Sequence, residues 1–147
     1  MVRSRLSAAA LGMALFAAGF AMRGAVGGDV AHAQGSTRVF EMRTYYAAPG
    51  KFEALQKRFR DHTLRLFEKH GMQNIGYWVP ADPPGSENTL VYIIAHKDRE
   101  TAKKNWAAFG ADPDWQKVRK ESMADGVSLT TKIDSVFLNP ADYSPIK

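Results

Sequence analysis

The sequence predicts an α+β fold in which a four-stranded antiparallel sheet carries helices on one face. Three observations predict it. Hydrophobic periodicity runs strand, helix, strand, strand, helix, strand along residues 38–138. Glycine, proline or a capping acid stands at most of the boundaries. The third strand is apolar on both sides, so both sheet faces need a cover. A split pair of βαβ units in this order closes as the ferredoxin-like βαββαβ arrangement.

Arg38 to Tyr46 alternates and is rich in aromatic and branched residues, which predicts the first strand. Ala47-Ala48-Pro49-Gly50 turns the chain into a helix expected from Lys51 to His70. At 3.6 residues per turn Phe52, Leu55, Phe59, Thr63, Leu66 and His70 form one stripe, and Gly71 is placed to end the helix. Gln73 to Val79 is the second strand. Pro80 to Glu87, with three prolines and a glycine, is a loop. Asn88 to His96 is the third strand, with Leu90, Tyr92 and Ile94 on one side and Val91, Ile93 and Ala95 on the other. Asp98 caps a helix running to Phe109; Asp112 caps another, with Pro113 in its first turn, running to about Met123. Ser128 to Leu138 is the fourth strand, and Asn139 to Lys147 is an extended tail. The two-sided apolar pattern predicts a homodimer whose sheets close into a barrel.

Residues 1–33 read as a signal peptide. Arg3 and Arg5 precede an uncharged apolar run from Ala8 to Met22, and Ala31-His32-Ala33 fits a small-x-small cleavage site, so the domain spans 34–147. The expected location is periplasmic or extracellular, with no stable membrane insertion after cleavage. An uncleaved anchor through residues 6–22 and an organellar presequence are the alternatives. Removing residues 1–33 lowers the formal charge from +5 to +3, and the remaining 17 basic and 14 acidic residues are interspersed, which is no nucleic-acid footprint. The sequence holds no cysteine, which removes disulfide scaffolds, cysteine-ligated metals and thiol catalysis.

Phe40-Glu41-Met42-Arg43-Thr44-Tyr45, Pro49-Gly50-Lys51, Gly76-Tyr77-Trp78 and Asp112-Pro113-Asp114-Trp115 together resemble the NIPSNAP family, over roughly Val39 to Leu138. The resemblance implies a dimeric α/β barrel related in fold to cofactor-independent monooxygenases, small isomerases and some haem-degrading enzymes. It implies no single chemistry. The mitochondrial and vesicle-trafficking setting of animal members is not carried over, because the export signal departs from it.

Tyr46, His70, Trp78 and His96 are the candidate pocket residues. His70 is either a helix-end histidine favoured by the helix dipole, or a proton shuttle or axial haem ligand. His96 ends its strand, either as a half-exposed edge residue or at a pocket mouth. Trp78, Trp106 and Trp115 read as core more readily than as ligand stackers. Glu41 and Arg43 share one face of the first strand and are expected in the barrel interior if Phe40, Met42, Thr44 and Tyr46 meet the helices. There they form either an ion pair fixing dimer register, or an anion site with Glu41 as base.

His62 and His70 rise about 12 Å apart along one helix, too far to share a metal ion. No H-E-x-x-H, G-x-S-x-G, Walker or dinucleotide pattern occurs, and Asn88 to Ile93 lacks the RNP pattern of RNA-binding sheets. No metal, cofactor or nucleic acid is therefore expected. The leading functional expectation is a small, largely apolar molecule held between helices and sheet, with cofactor-independent oxygenation or isomerisation as its chemistry. A non-catalytic interaction module working through the proline-rich loop or the tail is the alternative, and haem binding is a third.

Overall fold

The computed structural model describes residues 38–147; the signal-peptide reading of residues 1–33 lies outside them. The elements are β1 (Val39–Ala47), α1 (Phe52–Arg58), a π-helical segment (Phe59–Thr63), α2 (Leu64–Lys69), β2 (Gln73–Trp78), α3 (Gly85–Asn88), β3 (Thr89–His96), α4 (Arg99–Ala111), α5 (Pro113–Ser122) and β4 (Thr130–Leu138). The sheet order is β2-β3-β1-β4 and every pairing is antiparallel. This is the ferredoxin-like arrangement expected from the element order.

The boundaries follow local chemistry. Asp98 caps α4 by accepting from the Thr101 amide at 2.6 Å, and Asp112 caps α5 by accepting from the Asp114 amide at 2.7 Å. Gly71 ends the first helical stretch with φ +71°. Two expectations change. The helix expected over residues 51–70 is interrupted by the π-helical segment. The loop expected over residues 80–87 ends in the single turn α3.

Register decides which side of β1 meets the helices. Glu41 lies opposite Ile94 and Phe137, Arg43 opposite Tyr92 and Ser135, and Tyr45 opposite Leu90 and Ile133. Leu90, Tyr92 and Ile94 sit in the core with Leu55, Phe59, Leu66, Phe67 and Phe109 from the helices. Glu41 and Arg43 therefore face the helices, and the barrel-interior placement is corrected. Hydrophobicity favoured Phe40, Met42, Thr44 and Tyr46 for that side; Trp106 on α4 reverses the choice by supplying a polar and aromatic partner for Glu41 and Arg43.

The core is dominated by edge-to-face and tilted aromatic contacts. Phe67 meets Phe109 at 5.0 Å and Trp106 at 5.3 Å between centroids, and Tyr77 stacks on Tyr92 at 5.4 Å. The opposite sheet face holds Met42, Val91, Ile93 and Val136. Trp78 folds its ring over Gly76, where an added Cβ would lie 2.5 Å from the indole. The tail turns at Ala141–Ser144, and Ala141, Ser144 and Ile146 line a hollow with Phe40, Ile75 and Ile93 at one end of this face.

Candidate functional site

A cavity of about 320 Å³ opens between the helices and the sheet. That is the low end of the range for small-molecule sites. Its apolar walls include Phe59, Phe67, Phe109, Trp115, Met123, Leu129 and Ile133. Tyr45, Arg58, Thr63, Arg119, Ser128 and Thr130 supply the polar groups.

The π-helical segment builds one wall. Leu55, Phe59, Thr63 and Phe67 are all buried, at a constant spacing of four residues. In a regular α-helix each step of four drifts by about 40°, so the row would wind off the core face. The wider π turn absorbs part of that drift and keeps the row inward. Across it the Arg58 carbonyl accepts from the Thr63 hydroxyl at 3.1 Å.

Arg58 is the unusual member of this wall. It is 8% exposed. Its Nη1 donates to Ser122 Oγ at 3.3 Å, its guanidinium stands 5.2 Å from the Trp115 ring centroid, and its buried Nε has no partner. Among the described residues no carboxylate lies within ion-pair distance of it. Burial, and then the charge of Arg119, lower its pKa from the ordinary guanidinium value, with a partial offset from Tyr45.

A second polar cluster lies under α4. Glu41 is 2% exposed. Its Oε2 accepts from Trp106 Nε1 at 2.7 Å and pairs with His96 Nε2 at 3.1 Å. Its Oε1 accepts from Arg43 Nη1 at 2.8 Å and Ser135 Oγ at 2.7 Å. Burial alone would raise the carboxyl pKa. The hydrogen bonds from His96, Ser135 and Trp106, with the Arg43 charge, outweigh it and hold the pKa at about 2. Four donors occupy the four acceptor sites of a carboxylate, so Glu41 has no lone pair left for a base. A carboxylate only accepts, so His96 Nε2 carries the proton. In the neutral ring Nδ1 is then a buried acceptor with no partner. Arg43 lies over the Trp106 ring at 4.3 Å. Glu41 and Arg43 form an ion pair within the subunit, and its geometry does not bear on dimer register.

His70 follows the last turn of α2 and joins Asp112 at 2.6 Å through Nε2, while Lys69 reaches the same oxygen at 2.8 Å. Asp112 thus caps α5 and ties it to α2. The hydrogen bonds from Lys69 and His70 hold its carboxyl well below the usual range. His70 therefore stands in a helix-end clamp.

The four candidate pocket residues are not brought together. His96 faces the helices, His70 sits at the α2–α5 junction, and Tyr46 and Trp78 lie on the opposite sheet face, where Lys132 covers the Tyr46 ring at 5.2 Å. None of the four lines the cavity; Tyr45 does, because adjacent residues of a strand point to opposite faces. Sequence reasoning missed Arg58, Thr63 as a polar wall residue, and Arg119. The one signal for them is the four-residue spacing from Leu55 to Phe67, which an α-helical period does not fit. Among the described residues no group of three or more His, Asp or Glu side chains is placed to hold a metal ion.

A family model described as NIPSNAP matches residues 40–145. The chain belongs to the NIPSNAP family. Its fold is shared with a NIPSNAP family protein of unknown function from Agrobacterium tumefaciens, at TM-score 0.65 and 24% identity over 77% of this chain and 96% of that one. A NIPSNAP-like domain protein from Burkholderia xenovorans matches at TM-score 0.63 and 21% identity, over 75% of this chain and 90% of its own. A second Burkholderia xenovorans NIPSNAP domain protein matches at 0.60 and 25%, over 73% and 98%. Among curated proteins none matches. Within the NIPSNAP domain the cavity draws on β1, α1, the π-helical segment, α2, α4, α5 and β4, so its shape depends on both βαβ units.

Proposed function

We propose that this NIPSNAP protein is an exported homodimer that binds a small, largely apolar molecule in the cavity between helices and sheet. The observation that carries the reading is the cavity itself, walled by aromatic and aliphatic side chains and edged by a few polar groups. Export rests on the pattern of residues 1–33, and the dimer on the apolar sheet face.

The lining supports binding ahead of turnover. It holds no Asp, Glu, His or Cys, so acid–base chemistry there would fall to the Tyr45 phenol among the described side chains. Haem binding is weaker still, because His70 and His96 both lie outside the lining and are engaged by Asp112 and Glu41.

Trp115 stands 4.4 Å from Phe109 in the wall, so a ligand taken up there perturbs its fluorescence. The test is titration of the full chain with 1-octanol, a neutral apolar probe, following tryptophan emission. Saturable quenching that disappears in Trp115→Phe and weakens at least tenfold in Ile133→Trp, which fills the cavity mouth, is the expected result. Absence of saturable binding in the wild type would overturn the reading. Native mass spectrometry of the chain expressed with its own signal then reads cleavage, subunit number and any retained molecule together.

A further inference from the structure

Arg58 is a buried cation without a buried anion. Placing a lone charge in an apolar surround is costly unless a partner compensates, and solvation inside the fold here amounts to one long hydrogen bond to Ser122 and the face of Trp115. A second cation, Arg119, is exposed at the cavity rim and adds like charge. Glu121 and Asp61 border a hollow on the far side of Arg58, yet neither reaches it, and Asp61 is taken by Lys57. As a device for stability alone the arrangement is poor. As a receptor it is coherent, because a planar guanidinium with no carboxylate partner lines a largely apolar chamber.

We propose that the molecule bound in this cavity is an organic acid, with its apolar body against Phe59, Phe109 and Leu129 and its carboxylate on the Arg58 guanidinium. This rests on the binding reading above. Arg119 at the rim draws the anion in and adds a screened attraction. The carboxylate is preferred over a phosphate ester on size and charge. A monoanion with a ring or a medium-length chain fits about 320 Å³, and a single buried guanidinium neutralises one charge.

The experiment compares octanoate with 1-octanol, which share a chain and differ at the head, by calorimetry on the full chain. Wild type should bind octanoate at least tenfold more tightly than octanol. Arg58→Met, which keeps the length of the side chain and removes its charge, should bring the ratio to about one while octanol binding persists. Arg119→Ala should weaken octanoate about threefold and flatten its salt dependence. If Arg58→Met does not fold, Arg58→Lys takes its place: it keeps the charge and loses the fork, and a clearly reduced ratio is the expected outcome. Equal binding of both probes to wild type, or an unchanged ratio in the Arg58 variants, overturns the organic-acid assignment and leaves the cavity reading standing. Binding of neither probe overturns both.

Discussion

The carboxylate of Glu41 holds four side-chain hydrogen bonds at a position that is 2% exposed, and its replacement is costly. Glu41→Gln keeps the shape, but its amide N–H₂ points at donors and Arg43 loses its counter-charge. The expected destabilisation is about 2–4 kcal/mol at neutral pH, read from urea unfolding. The same residue gives a pH signature. Its folded pKa of about 2 lies below the ordinary 4.5, so between those values the native state holds fewer protons than the unfolded chain. Its contribution is therefore complete above pH 4.5 and disappears as pH falls toward 2. It is worth on the order of 2 kcal/mol after allowing for screening near the edge strand. Stability of wild type and Glu41→Gln should converge across that window, and parallel curves would refute the network. His70 behaves differently. His70→Ala removes one partner of Asp112 while Lys69 stays, so the unfolding midpoint should drop by about 2–4 °C with octanol affinity unchanged. Loss of binding with an unchanged midpoint would instead place His70 in the site.

At the scale of elements, the π-helical segment is where packing and function meet. Removing one residue from such a segment restores regular helical winding and leaves the flanking turns in place. Deleting exposed Arg60 should therefore preserve the far-ultraviolet circular dichroism and cooperative unfolding, break the Thr63–Arg58 contact, and reduce octanol binding at least tenfold. Retained binding would show that the segment does not shape the cavity. This element also marks what a sequence can convey. The caps at Asp98 and Asp112, the stop at Gly71 and the strands were legible, because each is set by residues within a turn or two. The π segment was not, since its cause is the four-residue spacing of buried side chains, and a period of 3.6 was assumed. The orientation of β1 was illegible for another reason. Glu41 and Arg43 looked like the side to keep from the helices, and only the Trp106 indole, 65 positions along the chain from Glu41, makes their burial favourable. Arg58 escaped notice because it lies off the apolar stripe on an α-helical wheel, and its burial comes from α5 packing across it.

Among the described residues one sheet face is covered and the other half-covered. On the second, the tail shields the Phe40 end, where Phe40 is 6% exposed, while Val136 stays at 49% and Trp78 at 52%. Lys132 and Asp134 pair beside this strip, giving an apolar centre with a polar margin, the composition of a protein interface. In the proposed dimer a second copy of the same sheet would supply a matching surface, with a two-fold axis through the strip burying Val136 and Trp78 of both copies at once. The wild-type chain should run as a dimer by light scattering at micromolar concentration. Val136→Glu would bring two like charges into the proposed interface and should yield a folded monomer. Val127→Glu, at a similarly exposed position that precedes β4, should leave the dimer intact and so separates the effect of place from that of added charge. The cavity lies on the helix side of the sheet, so the Val136→Glu monomer should keep its affinity for octanol; a coupled loss would mean that the dimer holds the cavity in shape through the sheet. A monomeric wild type would sink the barrel and leave Val136 and Trp78 as an uncovered apolar strip.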